Sequence, residues 1–474
     1  MFAASGAVLV LEILSVRLLT PYIGMTLETT TSIIGAVLAG ISAGAALGGR
    51  IADRINPRRL VVGLFVVGGL LVLTTVPIVR ALGPAVSEGG AVAAVGITFA
   101  ALVPVAAVLS AVTPTVARLQ LHDLKASGTI VGRLSGWATA GALVGTFITG
   151  FVLVPLFPVG STVLGIGIGL VVLGAALGSQ VQRVRLRMLA GSALATVLLA
   201  LLTAVQHHPC ATETEYHCVQ VVADSAHAGS RILVLDRGYN SDVDTRDPSY
   251  LGFNYEKWIS GAIDGLSSRA PLDAVFVGGG AFTLPRWLEA TRPGSRSNVL
   301  EVDGQLVTFD RQRLGLRTSA DLRASVGDAR LTIQSEPSHS ADVVVGDAFS
   351  ARTVPWQLMT SEWLQEVRRV LKPGGIYALN MIDFPPLRLL RAEAATLLRE
   401  FSNLRLITFA EPSGRIAGGN EVLIASNRPI APQVVETQTG VRSFERAAVE
   451  RLVGSSQPLR DDYAPVDQLE TRPN

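Results

Sequence analysis

The chain has 474 residues, too many for one ordinary domain. Only 16% of them are charged against 49% hydrophobic, a balance that excludes an ordinary soluble enzyme along the whole length. The net charge of +2 is a cancellation: residues 1–206 carry 12 Arg/Lys against 5 Asp/Glu, and the remainder 28 against 33. The basic residues of the first part sit in short loops between apolar runs, so no nucleic-acid partner is expected.

Crossing a ~30 Å hydrocarbon core takes roughly 20 apolar residues in a helix. Seven stretches approach that length, at about 2–20, 29–49, 60–80, 90–117, 134–155, 157–178 and 188–205. A buried soluble bundle is the alternative, but soluble helices alternate polar and apolar faces and these do not. The N-terminus lacks a basic leader and a second apolar stretch follows at once, so no cleavable signal peptide is expected. Gly35, Gly40, Gly44 and Gly48, spaced by about four, are expected on one helix face for close packing, with mere tolerance of glycine as the alternative. Glu12 and Arg17 fall inside the first stretch. Each costs about 2.5–3.5 kcal/mol near a bilayer centre, so they are expected to face the bundle interior or to pair.

Alternate loops differ in charge. Loops 50–59, 118–133 and 183–187 hold ten Arg/Lys, and the intervening ones only Arg80. The positive-inside rule puts the basic loops in the cytoplasm, and seven crossings then carry the C-terminal part outside; a re-entrant or miscounted stretch would instead leave it in the cytoplasm. Cys210 and Cys218 follow the last stretch; an oxidising compartment favours a disulfide, and two free thiols are the alternative. Two thiols and scattered histidines predict no metal site.

From Tyr216 the texture changes. Val219–Val222 and Arg231–Leu235 read as a small antiparallel lead-in. After Pro271 strands alternate with helices: Ala274–Val277 ends in Gly278-Gly279-Gly280, Val299–Val302 carries Glu301 and leads into Asp303, Asp342–Val345 leads into Asp347, and Ile376–Met381 follows Lys372-Pro373-Gly374-Gly375. That alternation predicts a parallel sheet covered by helices on both faces, with its ligand beyond the strand C-termini. Glycines there let a ligand approach the backbone, and an acid about 20 residues later accepts bonds from ribose hydroxyls. Gly327-Asp328-Ala329 offers a carboxylate for an adenine amino group. The expected organisation is a membrane domain of about seven helices over 1–206, a β lead-in over 207–265, and a doubly wound, Rossmann-like nucleoside-binding domain of the S-adenosylmethionine methyltransferase type over 266–474.

The loop Gly49-Arg50-Ile51-Ala52-Asp53-Arg54-Ile55-Asn56-Pro57-Arg58-Arg59 resembles a cytoplasmic loop of major facilitator transporters. Tyr216-His217-Cys218-Val219, Ile232-Leu233-Val234-Leu235-Asp236, Val277-Gly278-Gly279-Gly280, Leu300-Glu301-Val302-Asp303, Gly327-Asp328-Ala329, Asp342–Asp347, Leu371–Gly375 and Arg460–Pro465 together resemble spermidine synthases, and more closely the bacterial proteins that fuse a transporter-like region to such a domain. The resemblance implies a polyamine aminopropyltransferase using decarboxylated S-adenosylmethionine as co-substrate, an amine or polyamine acceptor, no permanently bound cofactor, and a homodimer as in many family members. It makes Asp347 the proton acceptor, Tyr255 an active-site tyrosine, and Gly278, Gly279, Gly280, Glu301, Asp303, Asp328 and Ala329 the nucleoside contacts. Departures lie on the amine side. Ala281 stands where the family has an aspartate, Ser350 where the substrate loop has a second acid, and Asn240 and Asn380 where glutamines are common. A non-catalytic transporter or sensor and a methyltransferase are the competing readings.

Overall fold

The computed structural model describes residues 1–474 except 25–26, 87–89, 121–126, 181–185, 267–269, 350–353, 431–438 and 472–474. The chain divides into two compact units, Met1–Cys218 and Val219–Asn474.

The first unit is helical. Each apolar stretch read from the sequence forms a helix, and among the described residues six are long and apolar enough to cross a membrane. They run over Phe2–Ile23, Thr29–Ala52, Pro57–Val86, Ala93–Gln120, Gly128–Leu156 and Val159–Gln180. The seventh stretch forms the helix Leu186–Val205, shorter in its described apolar part. Spacing by four decides which glycines pack. A Cβ on Gly44 would lie 2.1 Å from the Ala107 carbonyl oxygen, and on Gly40 and Gly48 2.6 Å from the Ala106 and Ala111 methyl groups. Gly35, out of that register, faces open space. Small residues at a helix contact allow this close backbone approach, the kind of packing that would hold helices together in a bilayer.

Arg17 resolves its polar head by donating to the Thr214 carbonyl in the segment after the last helix. There Glu213 accepts from the free Val159 N–H at 2.6 Å, where a helix start favours an anion, and pairs with His208 at 3.1 Å. That pairing raises the His208 pKa. Cys210 and Cys218 form a disulfide. His208, Cys210 and Glu213 lie together, with the Cys210 sulfur taken by the disulfide and His208 paired to Glu213.

The second unit opens with β2 (Cys218–Ala223), β3 (Ser230–Leu235) and β4 (Gly238–Asp244), an antiparallel meander, β1 being the short Thr212–Glu213 before it. An eight-stranded sheet follows in the order β12-β10-β11-β9-β8-β5-β6-β7. Its strands are β5 (Asp273–Val277), β6 (Arg296–Glu301), β7 (Leu322–Val326), β8 (Ala341–Gly346), β9 (Leu371–Asp383), β10 (Asn403–Ala410), β11 (Ile416–Ser426) and β12 (Val441–Glu445). β7, β6, β5, β8 and β9 are parallel, and β9 through β12 pair antiparallel. β5 and β8 read as unbroken apolar runs because both their faces are covered: Val275, Val277 and Val344 pack with Trp363, and Phe276, Val343 and Val345 with Trp258 and Trp287. The chain winds outward from β5 through β6 to β7, then returns to β8 on the other side. The crevice between the ends of β5 and β8 is therefore the switch point where such sheets bind ligands.

Candidate active site

Two strand ends meet at the switch point because glycine lets them. Gly278 has φ +94°, and a Cβ there would lie 2.5 Å from the Asp347 carbonyl oxygen. The Asp347 N–H donates to Val277 O at 2.8 Å, and the Gly278 N–H to Leu300 O at 2.9 Å, so β5, β6 and β8 are tied together at this edge. Glu301, at the end of β6, turns back under the turn: it accepts from the Gly279 N–H at 2.7 Å and from the Asp303 N–H at 2.9 Å. Its carboxylate is thereby fixed beside the glycines. Gly280, at φ +48°, lies against β4, where a Cβ would fall 2.3 Å from the Ser241 hydroxyl. The Ala281 N–H donates to that hydroxyl at 3.1 Å.

Asp347 keeps a partly open edge. Asn380 Nδ2 donates to its Oδ1 at 2.8 Å, and the Tyr255 hydroxyl lies within hydrogen-bonding reach of both this carboxylate and, at 3.3 Å, the Asn240 carbonyl. Packed atoms around the carboxyl desolvate it and push its pKa up to about 7, against the opposing pull of the bonds from Asn380 and Tyr255. Burial and the nearby acids Asp347 and Glu256 hold the Tyr255 phenol well above its ordinary range, so it remains a hydrogen-bond donor. An acid that exchanges its proton near neutrality, at the edge of a crevice, is suited to accept one from a substrate.

The residues singled out from the sequence separate into groups. Gly278, Gly279, Gly280, Glu301, Asp347, Tyr255 and Asn380 are linked by the contacts above. Asp303 is fully buried and caps the helix Gly304–Arg313, accepting from Gln305 N and Leu306 N at 3.0 Å each, so this carboxylate holds the loop that presents Glu301. Asp328 caps the short helix Ala329–Thr332 through Arg330 N at 2.9 Å and stays exposed, with Ala329 buried beside it. The Gly327 N–H on Glu301 O at 2.9 Å sets that turn against the end of β6. Ser350 lies outside the described residues. Two residues escaped sequence reasoning. Ser241 comes from the lead-in meander, and Asn420, on β11, donates to Asn380 Oδ1 at 3.0 Å. For Asn420 a signal existed, a polar pair with Glu421 opening an apolar strand.

No family model matches the chain. It is 27% identical over 146 residues to the polyamine aminopropyltransferase of Vibrio vulnificus, covering 30% of this chain and 48% of that protein. It is 25% identical over 250 residues to a probable polyamine aminopropyl transferase of Bifidobacterium longum, covering 48% of this chain and 54% of that one. The chain is similar to polyamine aminopropyltransferases. It spans about half the length of the curated relatives it matches. A probable spermidine synthase from Corynebacterium glutamicum overlays 53% of this chain and 95% of its own at 24% identity and a TM-score of 0.48.

Proposed function

We propose that the protein is a membrane-anchored aminopropyltransferase that moves the aminopropyl group of decarboxylated S-adenosylmethionine to an amine. The observation that carries the reading is Asp347, a partly open carboxyl with a pKa near 7, joined through the Gly278 turn to the fixed Glu301 carboxylate. Glu301, beside the glycine turn, takes the nucleoside ribose, Asp328 and Ala329 the base, and Asp347 the acceptor ammonium. Asp347 removes a proton from that ammonium. The freed nitrogen lone pair forms a bond to the propyl carbon attached to the sulfonium. The C–S bond breaks with its electrons going to sulfur, and methylthioadenosine leaves. Alignment and proton acceptance are the enzyme's two contributions. The helices support a bilayer anchor. The Cys210–Cys218 disulfide and the basic loops support an outward-facing second unit.

The test is incubation of the full chain, purified in detergent, with decarboxylated S-adenosylmethionine and a panel of amines. Release of methylthioadenosine that is lost in Asp347→Asn supports the reading. Release of adenosylhomocysteine from S-adenosylmethionine would replace it with methyl transfer, and nucleoside binding without turnover with a sensor or transporter. A C-terminal reporter active only in the cytoplasm would overturn the outward orientation.

A further inference from the structure

We propose that Asn420 is a positioning residue, holding the Asn380 amide in the orientation that donates to Asp347. The inference rests on Asp347 acting as the proton acceptor proposed above. Asn380 is 1% exposed, so water cannot satisfy its amide and its two ends must find partners in the protein. Its Nδ2 faces Asp347 Oδ1 at 2.8 Å, and its Oδ1 accepts from Asn420 Nδ2 at 3.0 Å. Reversing the Asn380 amide would set its oxygen against the Asp347 oxygen and its NH2 group against that of Asn420. With Asp347 ionised and Asn420 in place both contacts would become repulsive, so the ionised carboxylate and Asn420 together favour the orientation seen.

The sheet explains why Asn420 reaches this position. On the antiparallel β9–β11 pair Asn380 stands opposite Val422, and Asn420 is the diagonal neighbour on the same face. The Asn420 carbonyl accepts from the Thr408 hydroxyl of β10 at 3.4 Å, which fixes the strand beneath it. The other groups facing Asp347 are the Tyr255 hydroxyl, from the helix Asn254–Asp264, and at longer range the Glu256 carboxyl. Asn380 is the larger of the two influences that favour the ionised carboxylate. Losing its fixed orientation leaves desolvation less opposed, so Asp347 holds its proton to higher pH.

The experiment is an infrared titration of the full chain in detergent, with 13C-labelled aspartate and Asp347→Asn subtracted to isolate the Asp347 carboxyl band. Wild type is expected to titrate near pH 7. Asn420→Ala should move the midpoint up by about half to one pH unit, a part of the roughly one to two units that a whole hydrogen bond to a charged group is worth, because Asn380 itself stays in place. In an Asn380→Ala background the same change should have no further effect, because Asn420 acts only through Asn380. Asn420→Thr, too short to reach Asn380, carries the same test if the alanine variant does not fold. A midpoint unchanged by both Asn420 substitutions, or a full extra shift in the double variant, would overturn the inference. Methylthioadenosine release is followed in parallel. Its absence from wild type would count against the proposed reaction, while the titration still decides the role of Asn420.

Discussion

Asp347→Asn tests the chemistry most directly. The substitution keeps an oxygen that can accept from Asn380 and the shape of the side chain while removing its charge and its capacity to take a proton, so the fold has little reason to change. The productive encounter joins an acceptor ammonium to an ionised Asp347. With its pKa near 7, Asp347 is mostly protonated at pH 6 and mostly ionised at pH 8. The kcat/KM for methylthioadenosine release should therefore rise about tenfold per pH unit below pH 7 and level off above it, until the acceptor itself deprotonates near pH 10. Positioned proton acceptance contributes roughly 10²–10⁴-fold, and Asp347→Asn should lose that factor together with the break near pH 7. Methylthioadenosine affinity, held by the glycine turn and Glu301, should stay within a few-fold of wild type. A wild-type profile flat between pH 6 and pH 8, or a variant that keeps more than a tenth of the rate, would refute the assignment.

Glu393 is fully buried, neither of its carboxyl oxygens has a hydrogen-bond partner among the described residues, and desolvation raises its pKa well above the ordinary range. The folded chain then keeps a proton that the unfolded chain releases, so stability falls as pH rises above the unfolded value. Glu393→Met should stabilise the second unit by about 1–3 kcal/mol at pH 8 and by less at pH 5, and an unchanged thermal midpoint at pH 8 would contradict this. Gly278→Ala puts a side chain at φ +94° into the backbone of Asp347, at a cost of at least ~1–3 kcal/mol; calorimetry should find methylthioadenosine binding abolished, and retained affinity would show that the turn does not form the site. In the first unit Gly44→Ala should force two helices apart and reduce the monodisperse yield in detergent, whereas Gly35→Ala, facing open space, should not. Equal yields would remove the packing role of the Gly44 face.

What the sequence made legible follows from which forces act locally. The long apolar helices of the first unit lack a polar face, and no tertiary information is needed to see that. β5 and β8 are continuous apolar runs ending in Gly278 and Asp347, and a strand buried on both faces has little other way to be written. Register and capping were not legible. Asp303 follows a strand just as a ligand-binding acid does, yet the free N–H groups of the next helix claim it. Asp328 reads as an adenine contact and also serves as a cap. Ser241 and Asn420 each lie 40 residues from the residues they contact, and only strand pairing brings them there.

The amides around Asp347 and its near-neutral pKa belong to one design. In this desolvated crevice a second carboxylate in place of Asn380 would repel the first and drive its pKa higher still, leaving it protonated at pH 7. An apolar residue there would remove the one strong bond that favours ionisation, with a similar result. An amide with its nitrogen toward Asp347 offsets part of the desolvation without adding charge, but only if its oxygen has somewhere else to point. Asn420 supplies that place, so the acidity of Asp347 depends on a strand separated from it by β9.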